Sequence, residues 1–305
     1  MASHLGALSA WITAHVPGPL SYKQPASADN EGYWGPVTST IDWCEENYVI
    51  SPFFAEFVNS TTNLAFFALS MYHLHSAIKN KHGLLFMFVS VGMCFVGVGS
   101  WLFHMTLKYE FQLMDELPMI YCTALPFAYI FSVGKGKTVS VLIYSTTALF
   151  TALLTYIYCS VYQNPAFHQV SYGLLNFAII FRSLYLVNTR VTDPKIRKFL
   201  YGLISAALFE FLFGFLLWNL DTAYCTNLIW ARREVMGLPY GVVLEGHGWW
   251  HVFTGLGIYH FILYSQVLRT WVDGVQDNYE LLWTYGFLGE VVLKQSDKIK
   301  TKKCE

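Results

Sequence analysis

Residues 97–115 read Gly-Val-Gly-Ser-Trp-Leu-Phe-His-Met-Thr-Leu-Lys-Tyr-Glu-Phe-Gln-Leu-Met-Asp. The stretch closes a strongly apolar run with three polar groups, Ser100, His104 and Asp115. Ser100 and His104 stand at i and i+4, so a helix sets them one turn apart on one face. Far downstream, His247-Gly-Trp-Trp-His251 repeats that spacing at the edge of another apolar run. One histidine from one helix and two from a second make a three-histidine metal set with a fourth position open to water, as in hydrolytic zinc sites. Imidazole ligands favour zinc over calcium or magnesium. A lone histidine in an apolar segment is more often a packed or hydrogen-bonded residue. Ionisable groups inside a bilayer are costly and usually functional, which favours the metal reading for three of them.

The composition sets these residues in a bilayer. Of 305 residues, 54% are hydrophobic and 13% charged, whereas soluble domains carry about 25% charged residues. A net charge of −1 gives no support for a nucleic-acid partner. The first twenty residues lack a basic start and an unbroken apolar core, so no cleaved signal peptide is read there. Seven apolar segments follow a polar arm, near 56–78, 84–107, 115–133, 138–158, 168–187, 197–219 and 247–269, each close to the ~20 residues a spanning helix needs. The expected fold is an all-α membrane protein, a seven-transmembrane helix bundle. Its expected parts are a lumenal arm over 1–55, a catalytic bundle over 56–270 and a cytosolic tail over 271–305, read as polar with a basic end.

Basic residues orient the bundle. Fourteen fall in one set of connections and the tail, against four on the opposite side. The positive-inside rule then puts the C-terminus in the cytosol and the N-terminus in the lumen, in keeping with an odd number of spans. On this topology His104 ends the second span, Asp115 opens the third, and His247 and His251 open the seventh. All four fall at one membrane depth.

Asp115 is the candidate acid–base. Water on a three-histidine zinc has its pKa lowered to about 7, and a nearby carboxylate can move its proton to a leaving amine. The competing reading makes Asp115 a helix N-cap. Ser100 could donate to a developing oxyanion, although small residues also occur where membrane helices pack closely. Asp42, Glu45 and Asn47 of the arm and Glu56 at the start of the first segment, with the Trp43 carbonyl, offer hard oxygens of the type calcium takes. A solvated acidic surface is the alternative. Glu210, within the sixth segment, has no assigned role beyond a buried hydrogen-bond partner.

Gly-Tyr-Trp-Gly-Pro at 32–36, Asp-Trp-Cys-Glu-Glu-Asn at 42–47 and Ala-Glu-Phe-Val-Asn at 55–59 resemble the opening of the alkaline ceramidases. Gly-Ser-Trp-Leu-Phe-His at 99–104, Met-Asp-Glu-Leu-Pro at 114–118 and Gly-His-Gly-Trp-Trp-His at 246–251 extend the resemblance, which covers about 31–270. The phytoceramidase and dihydroceramidase branch is the most similar. The resemblance implies a zinc amidase that cuts ceramide into a sphingoid base and a fatty acid. It implies zinc ligands at His104, His247 and His251, with Ser100 and Asp115 assisting. It implies a calcium site on Asp42, Trp43, Glu45, Asn47 and Glu56.

Two competing readings share the superfamily: a seven-span receptor with a structural metal, and a hydrolase that remodels lipid anchors. A structural site would favour a fourth protein ligand and a closed tetrahedron. Cys44 and Cys225 are expected to form a disulfide. Cys94 and Cys122 lie in spans, Cys304 is cytosolic, and Cys159 ends a span with less reach. The chain ends Lys302-Lys303-Cys304-Glu305, which resembles a dilysine retrieval address and points to the endoplasmic reticulum membrane.

Overall fold

A computed structural model of the chain describes residues 20–23 and 32–294. An irregular arm leads into α1 (Phe57–Thr62) and α2 (Leu64–Lys79), separated only by Asn63, whose backbone stays helical at φ −64°. Long helices follow: α3 (Leu84–Thr106), α4 (Tyr109–Ser132), α5 (Lys137–Ser160), α6 (Pro165–Arg190) and α7 (Pro194–Ala223). After α8 (Cys225–Trp230), a π turn and a 3-10 turn lead to α9 (Gly246–Val272). Each of the seven apolar segments lies largely within one of these long helices or the α1–α2 rod. Among the described residues, α3, α5, α6 and α7 are long and apolar enough to cross a membrane. The chain is a mostly helical, multi-pass membrane protein.

Local chemistry fixes the helix starts. Asn164 accepts from Ala166 N at 2.9 Å, and Asp193 from Lys195 N at 2.7 Å, each with proline at the first helical position. The α3–α4 turn is tighter than the sequence suggests. Leu107 takes a left-handed conformation (φ 52°, ψ 36°), and α4 starts at Tyr109 rather than near 115. Asp115 therefore lies in the second turn of α4 and is not its N-cap. That role falls to Lys108.

Helix contacts place the site. A Cβ on Gly99 would come within 2.0 Å of Met114 O, so α3 and α4 meet backbone to backbone there. Gly257 does the same for α9 against Ala207 O of α7. Such close approaches are how membrane helices associate without a hydrophobic driving force. Glu210 of α7 pairs with His260 of α9, Oε2 to Nδ1 at 2.7 Å.

The segment after α9 departs from the expected polar tail. Residues Tyr279–Thr284 (β1) and Leu288–Leu293 (β2) form an antiparallel hairpin, turned by Tyr285 and Gly286 at positive φ. Its buried side belongs to β2, where Gly289 and Val291 meet the bundle. The Tyr259 hydroxyl donates to Gly289 O at 2.5 Å, and Leu293 N donates to Asn80 Oδ1 at 3.1 Å. Ring nitrogens of His260 and His82 contact Phe287 O and Val291 O at 2.8 and 2.6 Å. The chain is thus not wholly α-helical. Lys302 and Lys303 lie outside the described residues.

Candidate metal and acid–base centre

His104 sits in the last turn of α3, and His247 and His251 in the first turns of α9. Folding brings them together. One donor nitrogen from each lies within 4.8 Å of the others. The rings are buried, at 0%, 4% and 4% exposure, with centroids 4.7–5.0 Å apart.

Each ring is held from behind. Glu56 Oε2 meets His104 Nδ1 at 2.5 Å. Thr62 Oγ1 meets His251 Nδ1 at 3.0 Å. Trp43 stacks on His247, centroids 4.0 Å apart and planes within 17°. What remains is telling. His104 Nε2 and His247 Nδ1 are buried with no hydrogen-bond partner among the described residues. Bare buried nitrogens are costly, and partners fixing the opposite nitrogen are how metal-ligating histidines are oriented. The three residues are close enough to hold a metal ion, with no fourth His, Cys, Asp or Glu in the cluster among the described residues.

Ser100 lies one turn before His104, across the α3–α4 contact from Asp115. The Gly99–Met114 contact makes that approach possible. Both residues line a cavity of about 550 Å³ that also touches His247, His251 and Trp43 at one end and reaches Arg269 and Val272 at the other. Its walls are largely apolar, including Phe86, Met93, Phe211 and Ile262. Such a space suits a largely apolar ligand.

The acidic arm folds against this centre. Glu45 spreads its carboxylate over the start of α1, accepting from Val58 N and Asn59 N at 2.7 Å each. Glu56 accepts from Trp43 N at 3.2 Å and Asn59 Nδ2 at 3.1 Å, besides its contact with His104. Asn47 Oδ1 is buried with no partner among the described residues. Burial, reinforced by the charge of Glu56, pushes the Glu45 carboxyl up to about 8. Burial also raises Asp42. Crowded acids and an orphaned amide oxygen suit a hard cation. Glu45, Glu56 and Asp42 nevertheless do not converge as tightly as the histidines; among the described residues only those three form a cluster of that kind.

Part of the answering charge comes from protein. Arg232, fully buried, pairs with Glu245 and donates to Cys44 O at 2.8 Å. Arg233 reaches Glu46 at 2.9 Å. Cys44 and Cys225 are joined by a disulfide, Cα to Cα 5.4 Å. Cys94, Cys122 and Cys159 are free.

Several site residues had no signal in the sequence that singled them out. Thr62 behind His251 is an ordinary helical threonine by pattern. The Arg232–Glu245 pair could have been suspected, since Arg232-Arg233 are rare basic residues facing an acidic arm. Glu116, beside Asp115, accepts from Tyr158 at 2.5 Å and Gln112 at 3.4 Å, tying α4 to α5.

A family profile described as Ceramidase matches residues 35–292. The chain is 42% identical over 245 residues to alkaline ceramidase 3 of Mus musculus, covering 80% of this chain and 89% of that one. It is 39% identical over 277 residues to alkaline ceramidase YPC1 of Saccharomyces cerevisiae, covering 86% and 87%. It is also 32% identical over 263 residues to a putative alkaline ceramidase, dcd3A, of Dictyostelium discoideum, covering 76% and 86%.

Proposed function

This chain belongs to the ceramidase family, and from that premise we propose that it hydrolyses the amide bond of ceramides of the phytoceramide and dihydroceramide type by a zinc-dependent route. One observation carries the zinc reading: three buried histidines cluster, two of them with a bare nitrogen, and His247 and His251 line the same cavity as Ser100 and Asp115.

His104, His247 and His251 would hold the zinc, which when bound supplies Lewis acidity and an acidified water. The apolar cavity takes the two hydrocarbon chains and sets the amide at its polar end. Asp115 accepts the proton of the attacking water and returns it to the leaving nitrogen. Ser100, across the α3–α4 contact from Asp115, turns its hydroxyl to the developing oxyanion. Trp43 walls the site and keeps the His247 ring in its plane. The products are a sphingoid base and a fatty acid.

The same reading includes a regulatory calcium on Asp42, Trp43, Glu45, Asn47 and Glu56. The contact from Glu56 to His104 supports it, because one carboxylate then serves both metals. It includes seven spans from 56 to 270, an arm over 1–55 in the lumen and the segment 271–305 on the cytosolic side, in the endoplasmic reticulum. Serine at both Lys302 and Lys303 should shift the protein out of that compartment on imaging.

The test is release of sphingoid base by purified protein. His104→Ala, His247→Ala and Asp115→Ala should each abolish it, and a zinc chelator should do so reversibly. Full activity in metal-free His251→Ala protein would sink the zinc route.

A further inference from the structure

Hydroxyls in helices usually turn back to their own backbone, donating to the carbonyl three or four residues earlier. Along the cavity, Thr123 does so to Met119 O at 2.8 Å, and Ser265 to Phe261 O at 2.8 Å. Thr254 does not. It lines the same cavity, is 2% exposed, and its Oγ1 has no hydrogen-bond partner among the described residues. Across from it, Asn63 at the head of α2 shows the same pattern. Its Nδ2 donates to Asn59 O at 2.9 Å, while its Oδ1 is buried without a partner. Asn63 is 1% exposed and also lines the cavity.

Both lie next to the reacting centre. Thr254 follows His251 by three residues, about 4.5 Å along the same face of α9 toward the long apolar end. Asn63 Nδ2 approaches His251 Nδ1 to 3.5 Å. An unpaired hydroxyl and an unpaired amide oxygen, both in an apolar cavity, are expensive unless a bound molecule supplies their partner. A hydroxyl on the ligand, seated between them, would answer both. It donates to Asn63 Oδ1 and accepts from Thr254 Oγ1.

We propose that Asn63 and Thr254 form a subsite for a hydroxyl of the sphingoid chain, one or two carbons beyond the amide-bearing carbon. This deepens the ceramidase reading and rests on it. The subsite makes the two residues specificity determinants: they register the chain so that the amide reaches the histidine centre, and they discriminate between backbones by hydroxylation. A site built to pair a substrate hydroxyl rejects the analogue lacking it far more strongly than an apolar wall distinguishes lengths.

The experiment measures kcat/KM on three substrates with the full-length protein: dihydroceramide, phytoceramide, and dihydroceramide lacking its 3-hydroxyl. Thr254→Val keeps the shape and removes the hydroxyl; Asn63→Ala removes the oxygen. Each variant should lose about tenfold or more on hydroxylated substrate, and Thr254→Ser should recover most of it. A loss absent with the 3-deoxy analogue assigns the subsite to the 3-hydroxyl. A loss confined to phytoceramide assigns it to the 4-hydroxyl. Both outcomes support the proposal, and because each compares substrates within one variant, altered folding cancels. Equal losses on all three substrates, or no loss on any, would overturn the subsite and leave the ceramidase reading standing. No turnover of any substrate by the parent protein would overturn both.

Discussion

Gly99 decides how closely Asp115 approaches Ser100. A methyl group there would meet Met114 O at 2.0 Å and Asp115 N at 2.9 Å, both backbone atoms that cannot step aside. Gly99→Ala should push α4 away from α3 and carry Asp115 with it. Misplacement by about 1 Å can lower turnover about a hundredfold. All three histidines are on α3 and α9, so bound zinc measured by elemental analysis should stay near the parent level while kcat falls. Glu56 and Asp42 should behave differently from one another. Glu56 touches His104, so Glu56→Ala should weaken zinc by about 10–100-fold, as loss of a ligand's outer partner does, along with any calcium response. Asp42 makes no such contact, and Asp42→Ala should lose the calcium response and keep zinc. Titrating both metals into each variant checks this. If both variants respond to calcium like the parent, the arm is only an acidic surface.

Among the elements, the terminal hairpin is the least expected and has its own pH dependence. His82 is buried between β2 and the α2–α3 turn, bonded to Val291 O, stacked on Tyr279 and close to Arg269 and Glu290. Burial holds its imidazole below the usual 6.5. The unfolded chain then takes up a proton that the docked hairpin refuses, so stability is full above about 6.5 and falls as the pH drops below it. Protease cleavage within 279–293 should therefore speed up between pH 6.5 and 5, and His82→Asn should flatten that dependence. The hairpin also marks a limit of sequence reading. Long apolar runs and the i, i+4 histidines were legible, because helix period and bilayer length are strong local constraints. So was the meeting of His104 with His247 and His251, through their shared depth. The strand pair was not, because Leu281, Val291 and their neighbours form short runs beside charged residues, and the surfaces they pack on, α9 and the α2–α3 turn, are distant in sequence. Glu56 was assigned to calcium alone, since nothing local links it to a histidine 48 residues away.

For the whole molecule, orientation is the largest proposal and has a direct check. Lys135 and Gln163 flank α5 and are exposed. With the free cysteines replaced by serine, Lys135→Cys should react with a membrane-impermeant maleimide in sealed microsomes, and Gln163→Cys should react only after the membrane is opened. The reverse pattern would reject the orientation. The ties between distant parts of the chain also bear on how it is made. Cys44 waits for Cys225, 181 residues later, and Asn80 waits for Leu293, 213 residues later. During synthesis the first helices stand in the membrane with their connecting turn unfinished until residues 289–293 have been made. A chain stopped after Val272 carries every residue proposed for chemistry, yet Asn80, His82, Tyr259 and His260 each lose a partner. Such a chain should keep the three histidines together yet melt at a lower temperature than one that carries the hairpin, which a thermal-stability measurement in detergent checks.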